Sequence, residues 1–250
     1  MPRILIYWPF GRFRWLLYML FSLIIIPVYA TNLSTVLSLM GFSTALSMAI
    51  GLLITLVSLL LSSVHLIVYE AEVEYAPFES ITFTIFGKAL APFTIWPRFR
   101  RRVMVSLNLG GALIPVAVSI FLTYSILRYA PSLALPLAIS IALMSILINR
   151  ISRFIPAVGI VTPALVPPIL AALVSFIFVS FLAHGYLILS PVVAYISGVL
   201  GALIGADLLN IRAVIKAAPM IIDIGGAGTF DGIFFTGIMA VFYASLLTLI

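Results

Sequence analysis

The chain contains no cysteine, and charged residues make up only 8% of its 250 positions. The lack of cysteine excludes disulfides, thiolate metal sites and cysteine nucleophiles. Acidic residues are the scarcest charged group, with 7 Asp and Glu against 13 Lys and Arg. Hydrophobic residues instead account for 64% of the sequence, and the mean hydropathy of +1.32 lies outside the range of soluble proteins. The composition therefore indicates an integral membrane protein.

The apolar residues form seven stretches, each close to the roughly 20 residues needed to cross about 30 Å of hydrocarbon. The predicted spans are residues 15–37, 41–69, 103–127, 132–149, 159–183, 187–209 and 230–250. Because these stretches use up nearly all of the chain, we expect one integral membrane domain over residues 1–250. The expected fold is an all-α bundle of about seven transmembrane helices.

The basic residues predict which ends of the spans share a side of the membrane. Twelve of the 13 Lys and Arg precede the first span or follow the second, fourth and sixth, and only Arg128 falls in the opposite set. Cytoplasmic segments carry an excess of Lys and Arg, so the bias predicts an N-terminus inside and a C-terminus outside. It also accounts for the net charge of +6. We therefore expect a multi-pass protein of the cell membrane, whose partner is the lipid bilayer and not nucleic acid.

The longest polar segment is residues 70–102, between the second and third spans. It opens with glutamates and closes with a basic run, Glu70, Glu72, Glu74, Arg98, Arg100, Arg101 and Arg102. We expect a solvated cytoplasmic loop whose basic end lies at the anionic leaflet surface; a substrate gate or partner dock is the alternative. Residues 1–30 have the pattern of a signal peptide, but we expect an uncleaved first helix.

Two acids, Asp207 and Asp231, lie inside apolar segments, where a charge is costly. In the predicted topology both lie near the inner side, at the end of the sixth span and the start of the seventh. Asp231 could simply cap its helix, whereas Asp207 lies at a C-terminal end, where the helix dipole disfavours an anion. If the two carboxylates meet, they share a proton as a coupled pair. Asp223, in the connecting segment, is expected to be solvated.

A glycine-rich entry to the last span, with Gly225, Gly226 and Gly228, precedes Asp231. Glycine permits close approach of another chain. Non-helical backbone is tolerated at membrane depth only where protein buries it or water reaches it. The segment therefore predicts a lined cavity, with the three glycines among its substrate-binding residues.

Further polar and irregular positions are predicted at similar depth. Asn108 lies near the inner start of the third span, and Pro163-Ala164-Leu165 opens the fifth. Together with the glycines they predict a partly hydrated pocket that opens to the inner side and binds substrate. His65, near the inner end of the second span, is interpreted as a packing residue.

The chain lacks the sequence motifs of several kinds of nucleotide-binding, metal and hydrolase sites. The chain has no P-loop, dinucleotide fingerprint, His-Glu-x-x-His or nucleophile elbow, and His65 and His184 are predicted on opposite sides of the membrane. We therefore expect neither a metal nor a cofactor. The tetrapeptide at 111–114 recurs at 201–204 on an oppositely directed span, as an inverted transporter repeat would.

The whole chain resembles an uncharacterised prokaryotic membrane-protein family of unknown function. The resemblance is carried by the blocks Asn108–Pro115, Gly159–Pro163, Gly205–Asn210 and Gly225–Phe234. It implies no activity, but it places Asp207 and Asp231 inside the family's motif blocks.

A second, looser similarity is to presenilin-like intramembrane aspartyl proteases. These carry one aspartate on each of two successive helices near the cytosolic side, and a Pro-Ala-Leu at the inner start of another. Asp207, Asp231 and Pro163-Ala164-Leu165 look like that arrangement. Two extra residues separate Gly228 from Asp231, Ala206 stands before Asp207, and the tripeptide precedes the acids instead of following them. The similarity implies catalytic roles for both aspartates and a transmembrane-helix substrate.

Three functions stay open from the sequence. In a protease, one carboxylate would activate a water while the other protonates the scissile carbonyl. In a proton- or ion-coupled transporter, both acids would lie in the pathway of a small ion. A scaffold or lipid-binding protein would leave both acids at the membrane interface.

Overall fold

The computed structural model describes residues 4–6, 14–75, 81–85, 88–95, 99–155 and 159–249. Arg3, Arg12 and Arg98, which contribute to the predicted charge bias, lie outside these ranges. The helices are α1 Arg14–Leu39, α2 Thr44–Leu61, α3 Ile114–Tyr129, α4 Ala134–Ile151, α5 Val166–Leu182, α6 Ser190–Ala202, α7 Ile211–Lys216 and α8 Gly232–Leu247. The strands are β1 Ile4–Ile6, β2 Val64–Tyr75, β3 Ile81–Ile85, β4 Lys88–Ile95, β5 Phe99–Asn108, β6 Arg153–Ile155, β7 Gly159–Val161 and β8 Ile221–Ile224.

Within the described ranges, five helical segments are long and apolar enough to cross a membrane, which confirms the membrane class of the chain. They are Leu20–Leu39, Thr44–Leu61, Leu109–Tyr129, Pro131–Ile151 and His184–Lys216. Two further apolar helices, α5 and α8, are shorter, with 17 and 16 residues. At about 1.5 Å per residue, each covers roughly 25 Å of the approximately 30 Å of hydrocarbon.

A four-stranded sheet in the order β1-β2-β5-β8 adjoins the helices. The pairs β1–β2 and β2–β5 are antiparallel, and β5–β8 is parallel. The prediction of helical spans over 41–69 and 103–127 is therefore wrong at their inner ends, because α2 ends at Leu61 and the next helical segment begins at Leu109. Short apolar runs suit a strand as well as a helix, so hydropathy alone does not separate the two.

The ends of the predicted solvated loop over residues 70–102 are not irregular, because β2 and β5 pair there as a long ribbon. The charged side chains of this ribbon are exposed. Glu70, Glu72 and Glu74 alternate with less polar residues, which is the period of a strand. Opposite charges meet across the ribbon, with Arg100 Nε 3.4 Å from Glu74 Oε1 and Arg102 Nη1 3.5 Å from Glu70 Oε2. Part of the basic run is thus paired within the protein.

The sheet brings three separate segments to one side of the helical bundle. Its strands precede α1, lie between α2 and α3, and lie between α7 and α8. Hydrogen-bonded strands must be neighbours, so these three segments share a side, as the alternation of basic residues predicts. The residues of α6 at the middle of the bundle are almost all buried, against α4, α5 and α8.

Candidate functional site

Asp207 lies where α6 continues as a π-helical segment, Leu203–Leu208. A Cβ on Gly205 would overlap Ser145 O, so glycine lets this segment lie directly on α4. Its carbonyls have side-chain partners: Asn149 Nδ2 donates to Gly205 O at 3.1 Å, and Asn210 Nδ2 donates to Ala206 O at 2.8 Å. Single π-helical turns are rare and are frequent at functional sites.

Asp231 is the N-cap residue of α8. Its Oδ1 accepts a hydrogen bond from Ile233 N at 3.0 Å, and its Oδ2 accepts one from Ala227 N at 3.4 Å. The capping interpretation of this acid is therefore confirmed. A carboxylate at a helix N-terminus is stabilised both by these donors and by the helix dipole.

Both acids line one cavity of about 460 Å³. Its walls come from α1, α4, α5, α6, α8, strand β7 and the loop before α8. Pro163 and Ala164 also line it, and Asp207 and Asp231 are near enough for their charges to interact. Four of the residues singled out in the sequence thus come together, although they lie up to 68 positions apart along the chain.

The two acids have different surroundings. Asp231 has two backbone donors, whereas no hydrogen-bond donor or cation contacts the Asp207 carboxylate among the residues that the structure describes. A partly buried carboxylate that lacks a partner is stabilised by a proton or by a cation. Asp207 is therefore the acid of the pair whose charge is left to be balanced in this way.

The glycines of the loop that carries Asp231 fix its backbone conformation and its contact with α2. Gly225 and Gly228 have φ values of +74° and +63°, a region in which residues with a Cβ are strained. A Cβ on Gly228 would overlap the Ser62 side chain, which closes α2. The Ser62 hydroxyl accepts a hydrogen bond from Thr229 N at 3.1 Å, and the Tyr29 hydroxyl donates to Thr229 O at 2.9 Å.

Asn108 supports this loop from the other side. Its Oδ1 accepts from Gly111 N at 2.6 Å, and its Nδ2 donates to Ser62 O at 2.8 Å. A Cβ on Gly111 would overlap Gly225 O and lie 2.5 Å from Gly228 O. The two glycine-containing blocks of the sequence therefore pack directly against each other, and Asn108 holds the turn that makes this contact.

Asp223 contacts two side chains, and the prediction that it is simply solvated is wrong. Its Oδ2 lies 2.7 Å from His65 Nδ1, and its Oδ1 accepts from the Ser106 hydroxyl at 2.9 Å. The register of the sheet produces this contact, because Ser106 is opposite Asp223 and His65 is opposite Asn108 on the neighbouring strands. His65 is fully buried, in agreement with its interpretation as a packing residue.

The remaining predicted site residues lie outside the cavity. Asn108 and the glycines Gly225, Gly226 and Gly228 form its support and not its wall, and Leu165 is exposed. The lining also includes Phe230, Phe235 and Thr236, which the sequence did not single out. Their position close to Asp231 along the chain was the only feature of the sequence that pointed to them. Within the described ranges, no three His, Asp or Glu residues are grouped as metal ligands would be.

The architecture defines the class of this protein: a helical membrane protein with an acid-lined cavity and a four-stranded sheet. It belongs to a family described as protein of unknown function (DUF1614), which matches residues 59–243. That range contains both acids, the glycine loop and the paired strands β2 and β5. No curated protein and no solved structure matches the chain.

Proposed function

We propose that the cavity is the active site of an intramembrane aspartyl protease, with Asp207 and Asp231 as the catalytic pair. The observation that carries the proposal is their presence in one cavity of about 460 Å³ together with Pro163 and Ala164. Presenilin-like proteases, to which the sequence has a loose similarity, also combine two aspartates with a Pro-Ala-Leu, although Leu165 of the tripeptide lies outside this cavity. The apolar walls suit a substrate that is itself a membrane helix.

The unequal surroundings of the two carboxylates assign their roles in this proposal. Asp231, which accepts two backbone N–H bonds, is the anionic partner and takes a proton from the attacking water. Asp207, for which no described donor is found, carries the proton that it gives to the scissile carbonyl oxygen. The resulting tetrahedral intermediate collapses with protonation of the leaving amine, and one water is consumed for each peptide bond broken.

The extended chain beside the acids supplies a place for an unfolded substrate segment. Ile160 and Val161 of strand β7 line the cavity, and Thr162 and Pro163 continue along its wall. A peptide bond within a helix is protected by its own hydrogen bonds, so hydrolysis requires local unwinding. An extended wall next to the acids is where an unwound segment can pair by backbone contacts.

The test is photolabelling of the full chain in uncharged detergent with a peptide isostere whose hydroxyethylene group replaces the scissile bond. Such a group mimics the tetrahedral state and binds between two aspartates. We expect labelling that is lost in Asp207→Asn and in Asp231→Asn. The control Glu72→Gln changes an exposed acid on β2 that is remote from the cavity wall. Equal labelling of Asp207→Asn would refute the proposal.

A proton-coupled transporter is the second candidate, and a set of buried hydroxyls favours it. Within the described residues, the hydroxyls of Ser140, Ser190, Tyr195 and Ser245 are buried and have no hydrogen-bond partner. They belong to α4, α6 and α8, three of the helices that also line the cavity. Buried polar groups of this kind commonly bind internal water, and waters along these helices would extend a proton path from Asp207.

Proton flux into liposomes distinguishes this candidate. With a pH-sensitive dye inside and an imposed membrane potential, we expect uptake that is reduced by Asp207→Asn and by Tyr195→Phe. Tyr124→Phe removes a hydroxyl from an exposed position on α3 and is the matched control. Flux that is absent, or unchanged in Tyr195→Phe, would contradict a path along these hydroxyls.

We also infer that the sheet and the cavity lie on the cytoplasmic side of the cell membrane, with the N-terminus inside. The three segments joined by the sheet are those in which the basic residues of the sequence are concentrated. In this arrangement α5 and α8 complete a seven-helix bundle. The bilayer thins locally or the flanking residues reach outward to match their shorter length.

A further inference from the structure

The charge inside the cavity is all of one sign. Asp207 and Asp231 line it, whereas Lys, Arg and His are absent from its described wall. The apolar residues of the wall strengthen this field, because a low-dielectric wall focuses the field of the charges that it encloses. The cavity therefore repels anions and attracts a positive charge.

Asp207 is the less compensated of the two acids. Both oxygens of Asp231 already accept backbone N–H bonds, from Ile233 at 3.0 Å and from Ala227 at 3.4 Å. The helix dipole adds about half a positive charge at the N-terminus of α8. Asp207 has no described donor, so when it is ionised, a state that the protease proposal does not use, its charge is the one left for a ligand to compensate.

The rest of the wall suits an apolar body with aromatic contacts. Phe230 and Phe235 line the cavity, with Ile25, Ile148 and Ile233 among the aliphatic residues around them. Aromatic faces attract organic cations through the quadrupole of the ring, most strongly when water is excluded. The volume of about 460 Å³ falls in the range of roughly 300–1,000 Å³ that is usual for small-molecule sites.

Two other ligand classes fit less well. A divalent metal ion needs several oxygen or nitrogen ligands, and no three His, Asp or Glu side chains come together in the described part of the chain. A neutral apolar molecule would fill the space but make no use of the Asp207 carboxylate, which would then have to bind a proton.

We propose that the cavity binds a lipophilic organic monocation, with its positive centre on Asp207 and its apolar body against Phe230 and Phe235. The site does not depend on peptide hydrolysis. It gives the cavity a ligand class, a single positive charge on a hydrophobic body. An amine or quaternary ammonium or phosphonium ion would meet this description.

The experiment compares two ions of nearly the same shape and opposite charge. Radiolabelled tetraphenylphosphonium is titrated into the full chain in uncharged detergent, with binding to protein-free micelles subtracted. Unlabelled tetraphenylborate is tested as a competitor at matched concentrations. We expect saturable binding of one tetraphenylphosphonium per chain that tetraphenylborate does not displace.

Three variants locate the bound ion. Asp207→Asn should weaken binding at least tenfold, and Phe235→Leu several-fold, because the first removes the charge and the second removes an aromatic face. Glu72→Gln, an exposed acid remote from the cavity, should leave binding unchanged. Thermal unfolding of each variant is recorded in parallel, so that loss of the fold is recognised as such.

Three outcomes would overturn the proposal: no saturable binding to the wild-type chain, equal displacement by tetraphenylborate, or an unchanged affinity in folded Asp207→Asn. The result is separable from the proposed protease. If the hydroxyethylene probe does not label the chain but tetraphenylphosphonium binding requires Asp207, the protease proposal fails and the cation site stands. The opposite pattern would refute only the cation site.

Discussion

Replacing Gly228 with alanine tests whether the loop that carries Asp231 is held as tightly as its contacts indicate. The residue has a φ of +63°, and an added Cβ would lie 2.5 Å from Ser62 Oγ and overlap Ser62 Cβ. Neither the left-handed φ nor the close contact can be relieved by moving only the end of a flexible side chain, because the Ser62 hydroxyl also accepts the Thr229 N–H bond. The substitution therefore strains the backbone and displaces a hydrogen-bond acceptor at once.

The expected cost has two parts. A residue with a Cβ in the left-handed region costs about 1–2 kcal/mol. Overpacking of a filled interior costs about 1–3 kcal/mol more, so Gly228→Ala should lower the free energy of unfolding by roughly 2–5 kcal/mol. The loop would relieve this strain by moving away from Ser62, and Asp231 would move with it.

Thermal unfolding of the purified full chain in uncharged detergent measures the effect. A chain of this length loses roughly 2–4 °C in Tm per kcal/mol, so a clear fall is expected. Gly232→Ala is the matched control, because no atom lies within 4 Å of its added Cβ and it is the first residue of α8. That variant should be as stable as the wild type or more so.

The reasoning would be refuted by a Gly228→Ala chain whose Tm equals that of the wild type. A second variant separates the two parts of the expected loss of stability. Ser62→Gly removes the side chain that the new Cβ meets, so in that background Gly228→Ala should cost only the part due to φ. If the cost is instead unchanged, the contact with Ser62 does not determine the loop position.

Three further predictions follow from individual contacts. Asp231→Ala should lower the unfolding free energy by about 1 kcal/mol through loss of the helix cap, whereas Asp231→Asn should not; equal Tm values for the two would exclude a capping role. His65→Phe leaves the partly buried Asp223 carboxylate with Ser106 but without its imidazole partner, and should lower the free energy of unfolding by about 1–3 kcal/mol. The double variant with Asp223→Leu should recover part of that loss, and full additivity would argue against their contact. Because the chain has no cysteine, single Ser132→Cys and Met220→Cys variants report topology, and both positions are exposed. An impermeant maleimide should label Ser132→Cys from outside intact cells but Met220→Cys only in inverted vesicles, and labelling of both from one side would contradict the predicted topology.

The candidate site was partly predictable because its acids are conspicuous. A charge inside an apolar run is rare in membrane proteins, so Asp207 and Asp231 could be singled out without knowledge of any contact. Their assignment to one side followed from the positions of the basic residues. The cavity between them, with Phe230 and Phe235 in its wall, could not be predicted, because it depends on how five helices and a strand meet.

The sequence alone determined the membrane class and the approximate number of apolar segments, and it predicted the alternation of sides, because hydropathy and charge act residue by residue. Tertiary structure decided where helices end and strands begin, since the apolar runs at 64–69 and 103–107 satisfy either pattern until they pair. It also decided the role of Asp223, whose partners His65 and Ser106 lie 158 and 117 positions away along the chain. Strand register produces that pairing, and register is a property of contacts between distant segments, which local composition does not contain.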